Sequence, residues 1–318
     1  MRRTATRVGL VAAALSLTLT LAACGDGGDG STPKTTPSAS ATAAAQADPA
    51  AKPTAADVKA LASVEVSGEQ GAKPTITVPE GFTLDGYVAR LVEDGDGDEL
   101  GADDLFTAHI TGFGADGAAT GSTYDTDQAN TMNAKTGLVS FDELVPGAHA
   151  GARILLGATS NGQVQILVID VVGKVSPRAI GTPVAPKPGL PTVKLADDGT
   201  PTITPATGAA PTELVVQPLI EGTGPAVTAG QNVLVQYAGV LWDGTPFDDS
   251  WSKGQPFPVQ NVGQAQVIDG WNEGLVGQKV GSQVLLVVPP AKGYGDQANG
   301  SIPANSTLVF VVDILAAS

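Results

Sequence analysis

The sequence predicts an α+β protein made of two tandem copies of one unit, each an antiparallel sheet wrapped on one short helix. Three observations carry that reading. The 318 residues include 40 Gly and 23 Pro but only 15% charged residues, a balance that favours strands and turns over long salt-bridged helices. The second observation is internal repetition. LVSFDELVPGAHAGARILL at 138–156 matches IDGWNEGLVGQKVGSQVLL at 268–286 with a constant offset of 130, which sets Phe141 on Trp271, Glu143 on Glu273 and Gly151 on Gly281. The third is that each block runs into a closing apolar strand, ILVIDVV at 166–172 and VFVVDIL at 309–315.

The elements follow in order. Arg2, Arg3 and Arg7 precede an apolar run from Val8 to Ala23 that ends in Leu21-Ala22-Ala23-Cys24. A basic start, a short apolar stretch and small residues at its end make a secretory signal, here 1–23. Leu-Ala-Ala-Cys at that place resembles the bacterial lipobox, which implies cleavage before Cys24 and lipid attachment to it. The formal charge of −15 then becomes 14 − 32 = −18, because the three arginines leave with the signal. A chain that acidic is a poor partner for a phosphate backbone, so no nucleic acid is expected. Residues 24–62 are Gly/Ser/Thr/Pro/Ala-rich without apolar period and are expected to be a disordered tether.

A first unit is expected over 63–175, a Pro/Gly-rich linker over 176–211 and a second unit over 212–318. HITG (109–112) answers QYAG (236–239), GSTYD (121–125) answers GTPFD (244–248), and RLVEDGDG (90–97) answers PLIEGTG (218–224). Val233 to Tyr237 and Val284 to Val288 read as strands, and Gly270 to Gly277, with Trp271, Leu275 and Val276 on one side, reads as a short helix on a sheet.

The chemistry is bounded by what is scarce. One Cys excludes an intrachain disulfide and a thiolate zinc cluster. The only histidines, His109 and His149, lie in the first unit, so the second cannot assemble a Ser–His or Cys–His pair. Neither histidine has metal-ligand spacing, and both are expected to be surface or satisfied core residues. Asp94-Gly95-Asp96-Gly97-Asp98-Glu99 begins like a calcium loop but lacks Gly at the sixth place and an acid at the twelfth, where Leu105 stands; no metal and no cofactor are expected. What the second unit does hold is a concentration of aromatics, Tyr237, Phe247, Phe257, Trp271, Tyr294 and Phe310, with one carboxylate at Asp248, an apolar cup with few polar groups.

From Glu213 to Leu315 the chain resembles the FKBP-type peptidyl-prolyl isomerases. The resemblance runs through VQYAG (235–239), DGTPFDDS (243–250), GQPF (254–257), VIDGWNEGL (267–275), GYG (293–295), IPANSTLVF (302–310) and VDIL (312–315). It implies a half-barrel of antiparallel strands around the helix in each unit. It also implies that Trp271 floors a proline-ring pocket walled by Tyr237, Phe247, Phe257 and Phe310. Val267 and Ile268 would form its rim, with the Ile268 amide holding a substrate carbonyl, while Tyr294 and Ile302 come from a loop above. Asp248 would accept from Tyr237. Lys253 aligns where the family commonly has Arg, and lysine cannot offer a bidentate fork.

In the first unit Ile110 stands for Tyr237 and Phe141 for Trp271, Tyr124 and Asp125 stand for Phe247 and Asp248, and the loop bearing Tyr294 is missing. It reads as a degenerate, non-catalytic copy. The whole is therefore expected to be an extracytoplasmic prolyl isomerase, held to the bacterial cell membrane through Cys24, that acts on proline-containing secreted or envelope polypeptides. The sequence leaves its oligomeric state open. The rival reading is a non-catalytic peptide-binding or chaperone lipoprotein.

Overall fold

A computed structural model describes residues 47–318. Cys24, the signal and most of the expected tether lie outside the described residues. In chain order the first part contains helix α1 (Ala55–Ala62), the strands β1 (Glu65–Ser67), β2 (Thr75–Thr77), β3 (Val88–Glu93), β4 (Leu105–Gly114), β5 (Ala119–Ser122) and β6 (Asn130–Asn133), helix α2 (Val139–Leu144), and strands β7 (Arg153–Ser160) and β8 (Gln163–Lys174). The second part contains β9 (Gly181–Pro183), β10 (Thr192–Leu195), β11 (Pro201–Thr204), β12 (Val215–Gly222), β13 (Val233–Leu241), β14 (Pro246–Asp249), β15 (Phe257–Val259), helix α3 (Asp269–Leu275), β16 (Gln283–Val288) and β17 (Leu308–Ala317).

Two antiparallel sheets carry the core. The first is ordered β3-β7-β8-β4-β5 with β6 also on β4; the second is ordered β9-β12-β16-β17-β13-β14 with β15 also on β13. Apart from the extra edge strand β9, the two orders coincide strand for strand. Each sheet wraps one helix on its inner face. There Phe106, Phe141 and Ile169 are buried in the first, and Val235, Trp271, Leu275 and Val312 in the second. Burying these branched and aromatic side chains at roughly 1.5–3 kcal/mol each is what holds sheet to helix.

The outer faces are covered too, by a device the sequence analysis did not anticipate. The β1–β2 hairpin sets Val66 beside Ile76 on the first sheet, and the β10–β11 hairpin sets Val193 beside Ile203 on the second. Pro74-Thr75-Ile76-Thr77 and Pro201-Thr202-Ile203-Thr204 are the same tetrapeptide, 127 residues apart, so the repeat begins earlier than the entering strands suggested.

Two boundaries are corrected accordingly. Residues 176–211 are not a mere linker. They supply β9, whose Gly181, Thr182 and Pro183 extend the second sheet, and the hairpin that covers Val240, Leu285, Val309 and Val311. The expected tether also ends early, because residues 55–62 form α1. Thr54 and Asp57 close a capping box on it, and Leu61 is fully buried under the first sheet.

The alignment of Tyr124 and Asp125 with Phe247 and Asp248 is also corrected. Register through the central strands equates Ile110 with Tyr237 and Gly112 with Gly239. Gly112 faces Gly121 across the ladder as Gly239 faces Asp248, so Gly121 holds the carboxylate's place. Thr123 Oγ1 accepts the Ile110 N–H at 2.8 Å as Ser250 Oγ accepts the Tyr237 N–H at 2.8 Å. The match is therefore displaced by four residues. Tyr124 instead stacks on His109 at 4.1 Å and donates to Asp170 at 2.7 Å, on the opposite face of the sheet from Ile110.

Candidate functional site

Helix α3 begins the site. Its fit on β16 is tight, since a Cβ at Gly270 would meet Val288 Cγ1 at 2.5 Å and one at Gly274 would meet Leu286 Cδ2 at 2.7 Å. Glycine at both places lets the helix drop onto the sheet and drives Trp271 into the concave face. The ring is 4% exposed and is met edge-on by Tyr237 at 5.2 Å, Phe310 at 5.4 Å and Phe257 at 6.1 Å. Edge-to-face contacts of this kind favour the aromatic pairs beyond the area they bury.

The resulting cavity is about 370 Å³. All ten residues expected at the site line it: Tyr237, Phe247, Asp248, Phe257, Val267, Ile268, Trp271, Tyr294, Ile302 and Phe310. Four more were not anticipated: Gln266, Asn299, Gly300 and Ser301. The first precedes Val267 on the rim; the others form the tip of the covering loop, whose short polar residues carry no pattern that periodicity can detect.

Three polar arrangements position the walls. Asp248 Oδ2 accepts from the Tyr237 hydroxyl while Oδ1 takes the Lys253 ammonium, which also lies 5.8 Å over the Tyr237 ring. Lysine thus replaces a fork with one point contact, and the second carboxylate oxygen stays with the tyrosine. Burial pushes the Asp248 carboxyl up, but the Lys253 and Tyr237 hydrogen bonds outweigh it and hold the group below the usual carboxylate range. The Tyr237 phenol is raised, first by burial and then by its bond to Asp248, so it remains a neutral donor.

Asn272 is a positioning residue that the sequence analysis missed. Its Oδ1 accepts from the Gly263 and Ala265 amides at 2.9 and 3.0 Å and its Nδ2 donates to the Ala265 carbonyl at 3.1 Å, pinning the segment that leads to the rim. At that rim the Ile268 N–H precedes the helix and has no acceptor among the described residues.

The covering loop spans 289–307. Gly295 N–H donates to the Pro290 carbonyl at 2.8 Å, Asn305 N–H to the Gly295 carbonyl at 2.7 Å, and Asn299 and Ile302 exchange two bonds at 2.9 Å. It therefore presents Tyr294, 38% exposed, from an internally braced platform.

In the first unit the equivalent positions hold Ile110, Thr120, Gly121, Asn130, Phe141 and Leu167. Only one of these six, Phe141, is aromatic, and none carries a carboxylate. His109 lies 3.0 Å from Thr123 Oγ1 and His149 3.0 Å from Asp94, as expected of satisfied histidines.

The site is an aromatic cup with a pinned carboxylate, lined by neither imidazole nor thiol. Residues 224–315 match the family model for FKBP-type peptidyl-prolyl cis-trans isomerases. An FK506-binding protein of Streptomyces anulatus is 42% identical over 112 residues, 34% of this chain and 90% of that one. A probable FK506-binding protein of Corynebacterium glutamicum is 39% identical over 113 residues, 35% of this chain and 92% of that one. Among solved structures, FkpA from Escherichia coli is 36% identical, with 42% of this chain and 53% of that chain covered and a TM-score of 0.32. The chain belongs to the FKBP family, and its C-terminal third is a peptidyl-prolyl cis-trans isomerase domain.

Proposed function

We propose that the 370 Å³ cup receives the proline ring of an unfolded or extended segment and isomerises the preceding amide. The observation that carries this is the convergence of ten side chains from six separate segments on one cavity beside an unpaired amide. Rotation must break amide resonance against roughly 18–20 kcal/mol. The planar amide is the more charge-separated form and is better solvated by water than the twisted one. An apolar cup therefore favours twisting, and the Ile268 N–H and Tyr294 hydroxyl supply donors without any proton transfer. Tyr294→Phe should cost about 1 kcal/mol of the catalysed barrier, roughly a fivefold loss of kcat/KM in a protease-coupled isomerisation assay. Full activity in a variant with Trp271→Leu would overturn the reading.

The same reading makes the protein an exported lipoprotein whose tether holds the domain near chains emerging at the membrane. Arg2, Arg3, Arg7 and the Leu-Ala-Ala-Cys24 signal support it. Cys24→Ala should remain uncleaved or leave the membrane fraction; a correctly processed variant that stays tightly bound would refute it. One acyl chain anchors only marginally, so stable attachment needs at least two. The first unit is read as a second FKBP-like copy that has lost its cup; the common strand order and shared hairpin support that descent.

A further inference from the structure

A chain gripped at its proline must leave the cup, and one exit is a second groove of about 490 Å³. It shares Gln266, the Val267–Ile268 edge, Tyr294 and Asn299 with the cup and is lined also by Asp269, which the cup does not include. An extended chain advances about 3.3 Å per residue, so the first or second residue beside the proline lies in this groove.

Asp269 is exposed and has no side-chain hydrogen bond or ion pair with any described residue. Its surroundings do not neutralise it. Lys292 is the nearest cation, but it is bound to Glu273 at 2.5 Å and lies within the fields of Asp269 and Glu213 as well. That is three carboxylates against one ammonium. Across the cup, Lys253 is held by Asp248, while Asp249 accepts from Ser252 at 2.6 and 2.9 Å. The remaining lysine of 212–318, Lys279, is paired with Glu221, and this stretch contains no Arg or His. Every cation here is already engaged, and the free charge at the mouth is negative.

We infer that this isomerase selects prolines flanked by a basic residue, and that Asp269 is the side chain that reads it. The inference rests on the cup being the proline site. A lysine or arginine beside the proline meets an exposed, unpaired carboxylate. A glutamate there meets repulsion with no cation to relieve it. The Gln266 and Asn299 amides suit the chain's backbone and leave the charge discrimination to Asp269.

The test uses the full mature chain and matched proline peptides that differ only in the residue before, or the residue after, the proline: Lys, Leu or Glu. An exposed pair gains up to about fivefold in affinity, so the Lys-to-Glu ratio of kcat/KM should approach about tenfold at low salt and shrink as ionic strength rises. Asp269→Asn should bring the ratio to near one. Lys292→Gln, which frees Glu273, should increase it. A ratio near one in the unaltered protein in both series overturns the inference, and a ratio retained in Asp269→Asn overturns the assignment to that residue. If the ratio behaves as expected but Trp271→Leu leaves all peptides equally well turned over, the proline site itself has been misplaced.

Discussion

The two sheets of this chain share strand order, an inner helix and an outer hairpin, yet they differ at almost every position that faces the cup. Where the second has Tyr237, Phe247, Asp248, Phe257 and Phe310, the first has Ile110, Thr120, Gly121, Asn130 and Leu167. Where the second has the loop of 289–307, the first has a two-residue turn at Asn161-Gly162, both at positive φ (52° and 72°) as a tight hairpin requires. The outer faces have diverged less, but with opposite electrostatics. In the first, Arg153 grips Asp170 through two nitrogens at 2.5 and 3.0 Å and reaches the carbonyls of Gly68, Glu69 and Ala72 in the hairpin turn. In the second, Gln283 takes the arginine's place, and Asp313 accepts from Gln283 and the Ala179 amide at 2.8 Å each. The fold is thus carried by ladder pairing and covered faces, which are present with or without the cup. The cup is carried by a few side chains and one loop, which nothing else in the scaffold demands.

The largest test separates the two halves. A fragment of 176–318 should retain the isomerase activity of the full chain and a fragment of 47–175 should show none in the same assay. A fragment beginning at 212 should be poorly soluble or melt far lower, because it uncovers Val240, Leu285, Val309 and Val311 and removes the Ala179 partner of Asp313. Turnover by the first half would erase the contrast.

Next in size is the buried pair. Arg153→Ala strands a carboxylate that is almost wholly buried and should cost about 3–5 kcal/mol by denaturant unfolding. Arg153→Gln, which copies the second unit, should cost less, because Gln can still donate to Asp170.

A smaller effect comes from giving the second unit the first unit's residues. Trp271→Phe with Phe310→Leu keeps the core apolar and should cost only a few kcal/mol of stability, yet should lower kcat/KM by tenfold or more. If activity falls only as far as stability does, the cup is less distinct from the core than the geometry implies.

The smallest expected effect is that of pH on the rate. Asp248 lies below the ordinary carboxylate range, so its contribution is present above that range and is lost only on acidification through its lowered value. Tyr237 is shifted the other way and stays protonated. Catalysis should be flat from pH 5 to 8, and a steep step removed by Asp248→Asn would point to proton transfer. Asp313 behaves differently, because burial raises its carboxyl. Its ionisation therefore costs stability as pH rises through the folded value, and this appears in the melting temperature rather than in the rate.

Much of this was legible in the residues. The 130-residue offset at Phe141 and Trp271 marked the internal repeat, and the ten residues picked out by their motifs line one cavity, because those side chains are large and unusual for their positions. Tyr124 misled because GSTYD and GTPFD look alike, although the shift in pairing beside Gly112 and Gly239 decides which face each residue takes. The hairpin over the outer face escaped notice although Pro-Thr-Ile-Thr recurs. Strands of three or four residues set among Thr and Pro resemble linker composition, and only their burial against the sheet distinguishes them.

The placement of β17 between β13 and β16 has a consequence for the order in which the halves form. In the first sheet the corresponding strand, β8, is tied to β7 by the shortest kind of hairpin, so its central pairing is local and quick to nucleate. In the second, the central strand is last in chain order and must close over the whole 289–307 loop before it joins β13, already paired with β14 and β15, to β16. The first half is therefore expected to be finished while the second still waits for its keystone, standing beside it as a ready-made neighbour. The apolar contact of Leu105 and Val175 with Leu234, Leu315 and Ala316 gives that neighbour a surface on which the late strand can settle.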